Sequence, residues 1–132
     1  QLGALQKNVA LRRGSAYCQQ GRSYPAGSAD RIAALTQALQ TLEPLVGLDP
    51  SDPVLFMARL EEISAHRLLG EVGIADRKIQ ALQQLMPPPS VSLAARAEQL
   101  RVLLLRQQLC GFFQTFLVLR HFDRIEVGKQ LA

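Results

Sequence analysis

Apolar residues spaced at three and four positions over residues 32–46 are the feature that most constrains the fold of this chain. Ile32, Leu35, Leu39, Leu42 and Val46 follow steps of three, four, three and four. This spacing places all five on one face of an α-helix, whereas a strand would require alternation at every second residue. The pattern therefore predicts an amphipathic helix that ends near Gly47.

Proline, glycine and serine mark the ends of the helices. Residues 21–28 contain two glycines, two serines and a proline and predict a loop, while residues 47–53 and the triple proline that opens residues 87–90 predict turns. Apolar steps of three and four return between these breaks, and the hydrophobic set is rich in Leu and Ala, which favour helix. We predict one all-α domain over residues 1–132, built from five or six short antiparallel helices as a helical repeat or a bundle.

One segment is compatible with either helix or strand. Residues 112–119 are rich in Phe, Val and Leu, which also suit a strand. We favour helix because Phe112, Phe116 and Leu119 continue a helical step, and because the sequence has no second strand-like run with which the segment could pair.

Residues 48–87 resemble a tetratricopeptide repeat, a unit of two antiparallel helices about 34 residues long. Gly70, Ala75 and Pro87 stand at the spacings of its small residue between the helices, its closely packed alanine and its terminal proline. Farther upstream, Gly14, Tyr17 and Gly21 stand at spacings that resemble the first helix of another unit. The resemblance implies a protein that binds another polypeptide.

The sequence also departs from this family. His66 stands where an aromatic residue is usual, and about a dozen residues are inserted between Gly21 and the helix that begins near Ile32. An ordinary helical bundle, in which glycine and proline only mark helix ends, therefore remains the alternative.

No arrangement of residues indicates catalysis. His66 and His121 are the only histidines and do not form a zinc-binding motif. Glu62 lies one helical turn before His66, and we interpret the two as an exposed charge pair. Cys18 and Cys110 are far apart and lie in apolar surroundings, where cysteine behaves as a small hydrophobic residue. The sequence predicts no catalytic, cofactor-binding or metal-binding residue and a protein that is not an enzyme.

The carboxy-terminal third contains more apolar residues than one helix face can turn toward a core, so part of it could form an interface. An equal alternative is that this helix is the central one of the bundle. The candidate partner-binding residues are Leu105, Arg106, Leu109, Phe112, Phe113, Phe116, Leu117 and Arg120.

These residues predict an adaptor or chaperone-like module that binds a helical or extended peptide. The alternatives are a structural subunit of a homo- or hetero-oligomeric assembly and a regulatory protein that binds nucleic acid. We expect another protein, or a second copy of the chain, as the partner. Nucleic acid is disfavoured because the net charge of +4 is small and scattered.

The sequence also leads us to expect no membrane span. The most apolar stretch, residues 109–119, is short and contains Gln114 and Thr115, whereas a span needs about 18 or more apolar residues. The cytoplasm is the default location, and a removed leader remains an open alternative.

Overall fold

The computed structural model describes the backbone of residues 3–130 and the side chains of residues 3–120. Within this range the chain forms the helices α1 (Ala4–Ser23), α2 (Ala29–Val46), α3 (Pro53–Leu68), α4 (Val72–Gln84) and α5 (Pro89–Gln130). No strand occurs among residues 3–130, and residues 112–119 are helical. The predicted all-α class is confirmed.

Two of the helices begin at side-chain caps. The Ser28 hydroxyl accepts a hydrogen bond from the Arg31 N–H at 3.3 Å, and the Asp52 carboxylate accepts one from the Val54 N–H at 3.0 Å. These bonds satisfy amide groups that have no partner within the helix. Pro53 occupies the first position of α3, where a missing N–H costs nothing.

Helices α1 and α2 pack closely and run antiparallel. A Cβ placed on Gly14 would lie 2.5 Å from Leu42 Cδ2, and one on Gly21 would lie 2.6 Å from Leu35 Cδ2. As the residue number increases along α1, the number of the residue it faces on α2 decreases, so the two helices run antiparallel. Gly21 lies inside α1, and the loop is confined to residues 24–28, shorter than the predicted 21–28.

Helix α3 runs parallel to α1. Lys7 Nζ contacts Asp52 Oδ2 at 2.6 Å near the start of both helices, and the Arg22 guanidinium donates to Ser64 Oγ at 2.9 Å near their ends. The first and third helices thus point in the same direction, with the second antiparallel to the first.

The connection from α3 to α4 depends on a glycine in the left-handed region. Gly70 has a φ of +80°, and its N–H donates to the Arg67 carbonyl at 3.0 Å. The Glu71 N–H donates to the His66 carbonyl, also at 3.0 Å. This pair of bonds is the Schellman motif, which satisfies the last carbonyls of a helix. Nothing lies within 4 Å of a Cβ at Gly70, so its backbone conformation, rather than a close helix crossing, requires glycine.

The buried face of α2 differs by a small rotation from the predicted one. Ile32 is 49% exposed, whereas Leu35, Ala38, Leu42 and Leu45 are fully buried. Helix α2 packs against α1 and also against α3, so its buried face widens toward the side that carries Leu45. The spacing predicted the helix correctly, but the centre of the buried face is rotated slightly from the predicted position.

The chain divides into two compact units, Gln1–Val102 and Leu103–Ala132. The first unit contains α1–α4 and the beginning of α5. There, Val91, Ala95, Glu98 and Val102 are buried at steps of four, three and four, which is one helix face. The second unit is the remainder of α5 together with the chain end.

Candidate functional site

A groove of about 310 Å³ lies on the first unit, on the side formed by α1, α3 and α5. Helix α3 supplies most of its floor, and α1 and α5 supply its two rims. The lining residues are Arg22, Met57, Leu60, Glu61, Ser64, Ala94, Ala97, Glu98 and Arg101. The groove combines an apolar floor with charged groups on both sides, the usual composition of a ligand site.

A carboxylate held by two guanidinium groups forms the α5 rim. The Glu98 side chain is only 8% exposed, and Arg67 Nε donates to its Oε2 at 2.6 Å. Arg101 Nη1 contacts its Oε1 at 2.5 Å. Two cations beside one carboxylate leave this cluster with a net charge of +1. The Arg101 side chain, 57% exposed, carries that positive charge to the groove surface.

Hydroxyl groups fix the charged residues on the α1 and α3 side of the groove. Arg22 of α1 donates to Ser64 Oγ at 2.9 Å, and Glu61 Oε1 accepts a hydrogen bond from Ser15 Oγ at 2.8 Å. The guanidinium and the carboxylate are therefore oriented before any ligand binds, which lowers the entropy lost on binding.

A second groove, of about 450 Å³, lies between α1 and α2. Its lining residues are Leu5, Gln6, Val9, Ala10, Arg13, Gln40, Thr41 and Pro44. Although this groove is larger, Arg13 is the one charged residue in its lining, so it offers fewer groups to orient a ligand. We regard the α1–α3–α5 groove as the better binding site.

The predicted partner-binding residues lie elsewhere, on α5 within the second unit, and none of them lines the groove. Leu109, Phe112, Phe113, Phe116 and Leu117 are 51–75% exposed. Of the remaining three, Leu105 is half-buried, and Arg106 and Arg120 are exposed.

The expectation that the chain has no membrane span is wrong. Within Pro89–Arg120 an 18-residue window has a mean hydropathy of 1.4 and is only 6% buried, so this helix is long and apolar enough to cross a bilayer. The expectation assumed that a span needs a nearly unbroken run of apolar residues. When hydropathy is averaged over a whole span, however, Leu and Phe can outweigh isolated polar residues. The predicted set of partners, which excluded a membrane, is corrected accordingly.

The predicted repeat positions have different surroundings. Ala75 is fully buried on α4, whereas Gly70 ends α3 in open space and Pro87 lies between α4 and α5. Two other glycines, Gly14 and Gly21, lie where α1 closely approaches α2.

The predicted pair of Glu62 and His66 does not form. His66 Nδ1 contacts Glu71 Oε2 at 2.5 Å, because the Schellman turn brings Glu71 back beside the end of α3. Glu62 instead contacts Lys78 of α4 at 2.7 Å. The side chain of His121 lies outside the described residues.

The two cysteines differ in exposure. Cys18 is fully buried, and its Sγ donates to the Glu61 carbonyl at 3.8 Å. Burial, reinforced by the Glu61 carboxylate, raises the pKa of the Cys18 thiol from 9.0 to about 12, so it stays protonated at neutral pH. Cys110 is exposed, and both thiols are free.

Among the residues that the structure describes, no cluster of three His, Cys, Asp or Glu side chains could hold a metal ion. Comparisons with protein-family models, curated proteins and solved structures find no match for the chain.

Proposed function

We propose that this protein is a non-enzymatic adaptor or chaperone-like module that binds a peptide segment in the α1–α3–α5 groove. The observation that carries the proposal is the convergence of three helices on one apolar floor with an arginine on each rim, Arg22 and Arg101. The directions of α1, α2 and α3, together with the resemblance to tetratricopeptide repeats, also support a function in polypeptide binding.

The charges of the groove indicate what the peptide carries. Arg22 and Arg101 line the groove together with Glu61 and Glu98. Arg67 does not line the groove but contacts Glu98, so the arginines of this cluster outnumber its carboxylates by one. A ligand with one acidic group would neutralise this excess and accept bidentate hydrogen bonds from a guanidinium. The occupant we propose is an extended or helical peptide with apolar side chains and at least one carboxylate.

The floor is suited to apolar side chains of different shapes. Met57 is 49% exposed and, with Leu60 and Ala97, lines the groove. Methionine is unbranched and polarisable and so adapts to irregular surfaces. The small side chain of Ala97 leaves room above the floor. These features support a module that accepts related sequences rather than one fixed ligand.

Selection from a displayed random-peptide library against the full chain tests this function. Selected peptides should be rich in apolar and acidic residues. Their affinity should fall at least tenfold for Ala97→Arg, which fills the groove. The matched control is Thr41→Arg in the second groove, which should leave affinity unchanged. Thermal melting of both variants establishes that they are folded.

The acidic contact has its own test. Arg101→Gln should weaken binding of acidic peptides about three- to tenfold, the range expected for one partly exposed charge contact. Versions of the peptides with Asn or Gln in place of the acid should be unaffected. Equal binding of selected peptides to the wild type and to Ala97→Arg would refute the groove as the site.

A further inference from the structure

The part of α5 from residue 102 to residue 119 is called here the apolar segment; apart from buried Val102 and half-buried Leu105 its side chains are exposed, and large apolar residues occur all around the helix. Nine of its large hydrophobic side chains are 45–75% exposed: Leu103, Leu104, Leu109, Phe112, Phe113, Phe116, Leu117, Val118 and Leu119. Exposed apolar surface of this extent marks an interaction site.

The distribution of these side chains around the helix shows what kind of partner fits. At about 100° per residue, Phe112 and Phe116 lie on one side and Phe113 and Leu117 about 100° away. Val118, in turn, lies about 100° beyond Leu117. A partner helix or a flat interface would cover one of these sides and leave the others in water. A lipid environment covers all of them at once.

The beginning of the same helix shows the contrast. Residues 89–102 are buried on one face only, through Val91, Ala95, Glu98 and Val102. Arg96 on another side is exposed. That pattern is typical of a helix packed on a protein core, and it ends where the apolar segment begins.

The length and the ends of the apolar segment match a bilayer. Eighteen helical residues extend about 27 Å, close to the roughly 30 Å of bilayer hydrocarbon. Arg101 precedes the segment and Arg120 follows it, at the depths where headgroups and water begin. Arg106 lies about 6 Å inside, within reach of the interface for a long side chain.

The polar groups of the segment are compatible with lipid. A continuous α-helix satisfies its own backbone hydrogen bonds, as a spanning segment must. The Thr115 hydroxyl also donates to the Gly111 carbonyl at 3.0 Å. Gln107, Gln108 and Gln114 remain as neutral polar side chains.

We propose that the apolar segment inserts into a lipid bilayer as a transmembrane helix and attaches the first unit to a membrane. This inference is independent of the proposed peptide groove, because no residue of the groove lies in the apolar segment.

Reconstitution of the full chain with vesicles of phosphatidylcholine and phosphatidylglycerol tests insertion. Flotation in a density gradient at alkaline pH and high salt should carry most of the protein with the lipid. The double variant Phe113→Arg/Leu117→Arg should reduce the floating fraction at least fivefold. The matched control is Leu93→Arg/Leu100→Arg, at exposed positions on the same helix before the segment, and it should float like the wild type.

Cys110 provides a probe of depth. It lies near the middle of the apolar segment and is exposed, whereas Cys18 is buried. In a Cys18→Ala background, a membrane-impermeant maleimide should label Cys110 at least tenfold more slowly with vesicles than without them. In a Cys18→Ala/Cys110→Ala background, the variant Gly73→Cys places one thiol on the water-exposed surface of the first unit. Labelling this thiol with the reagent either enclosed in the vesicles or added outside them shows on which side of the membrane the first unit lies.

Three results would overturn the proposal. The protein could remain in the aqueous fraction, or Cys110 could be labelled equally fast with vesicles. Alternatively, Cys110 could become protected at increasing protein concentration without lipid, with a matching rise in mass by light scattering, which would identify a second copy of the chain as the cover. Peptide binding by the Phe113→Arg/Leu117→Arg variant would be unchanged in each case, so failure of this proposal is distinguishable from failure of the groove.

Discussion

Replacing Gly14 by alanine should destabilise the first unit although alanine is the better helix former. The new Cβ would lie 2.5 Å from Leu42 Cδ2 and 2.6 Å from Leu42 Cγ, about 1 Å inside ordinary carbon–carbon contact. Leu42 is fully buried, so it can move only by displacing its neighbours. Overpacking of this kind costs about 2–3 kcal/mol, and the gain in helix propensity offsets about 1 kcal/mol. We expect a net loss of about 1–2 kcal/mol.

Chemical denaturation followed by circular dichroism measures this loss. Gly73→Ala is the matched control, because nothing lies within 4 Å of its new Cβ, and it should be neutral or slightly stabilising. The double variant Gly14→Ala/Leu42→Ala isolates the clash: its destabilisation should be smaller than the sum of the single effects by about 1 kcal/mol or more. Strict additivity, or a Gly14→Ala variant as stable as Gly73→Ala, would refute the close crossing.

Three further perturbations test separate features. Glu98→Ala should cost about 2–3 kcal/mol of unfolding free energy, because the mostly buried Arg67 loses its carboxylate; Arg101→Ala, at the exposed partner, should cost under 1 kcal/mol. Gly70→Ala should cost about 1 kcal/mol, since alanine is strained at a φ of +80°, and Gly70→Asn should recover part of that loss. Because its pKa is raised, Cys18 contributes stability that is complete below pH 9 and is lost as pH rises toward 12; unfolding titrations should show about 1 kcal/mol lost by pH 10, and none of this loss in Cys18→Ala.

Local signals predicted most of the helical architecture. The caps at Ser28 and Asp52 depend on residues within a few positions along the chain, which is the range that a local sequence signal covers. Gly21 shows where such reasoning fails. Its surroundings, rich in proline, glycine and serine, suggested a loop, but the reason for glycine is Leu35, fourteen residues away. Close approach between distant residues has no local signature.

The same limit applies to the candidate site. The sequence identified Phe113 and Leu117 as surplus apolar surface because the surplus is contiguous along the chain. It did not identify the groove, because Arg22, Met57 and Arg101 come from three helices and meet only in the fold. The sequence did not indicate the ion pair of Arg67 with Glu98 for the same reason, since the two residues are 31 positions apart.

The glycine contacts between α1 and α2 also determine where this chain can change length. Gly14 faces Leu42 and Gly21 faces Leu35, so both contacts depend on one register. Inserting a single residue between the two glycines would rotate one of them by about 100° and move it by about 1.5 Å relative to the other, and one contact would be lost. The loop at residues 24–28 carries no such constraint, since each helix could keep its register around a longer connection. Over evolution, insertions should therefore accumulate in this loop, while residues 14–21 before it and residues 35–42 after it keep their spacing.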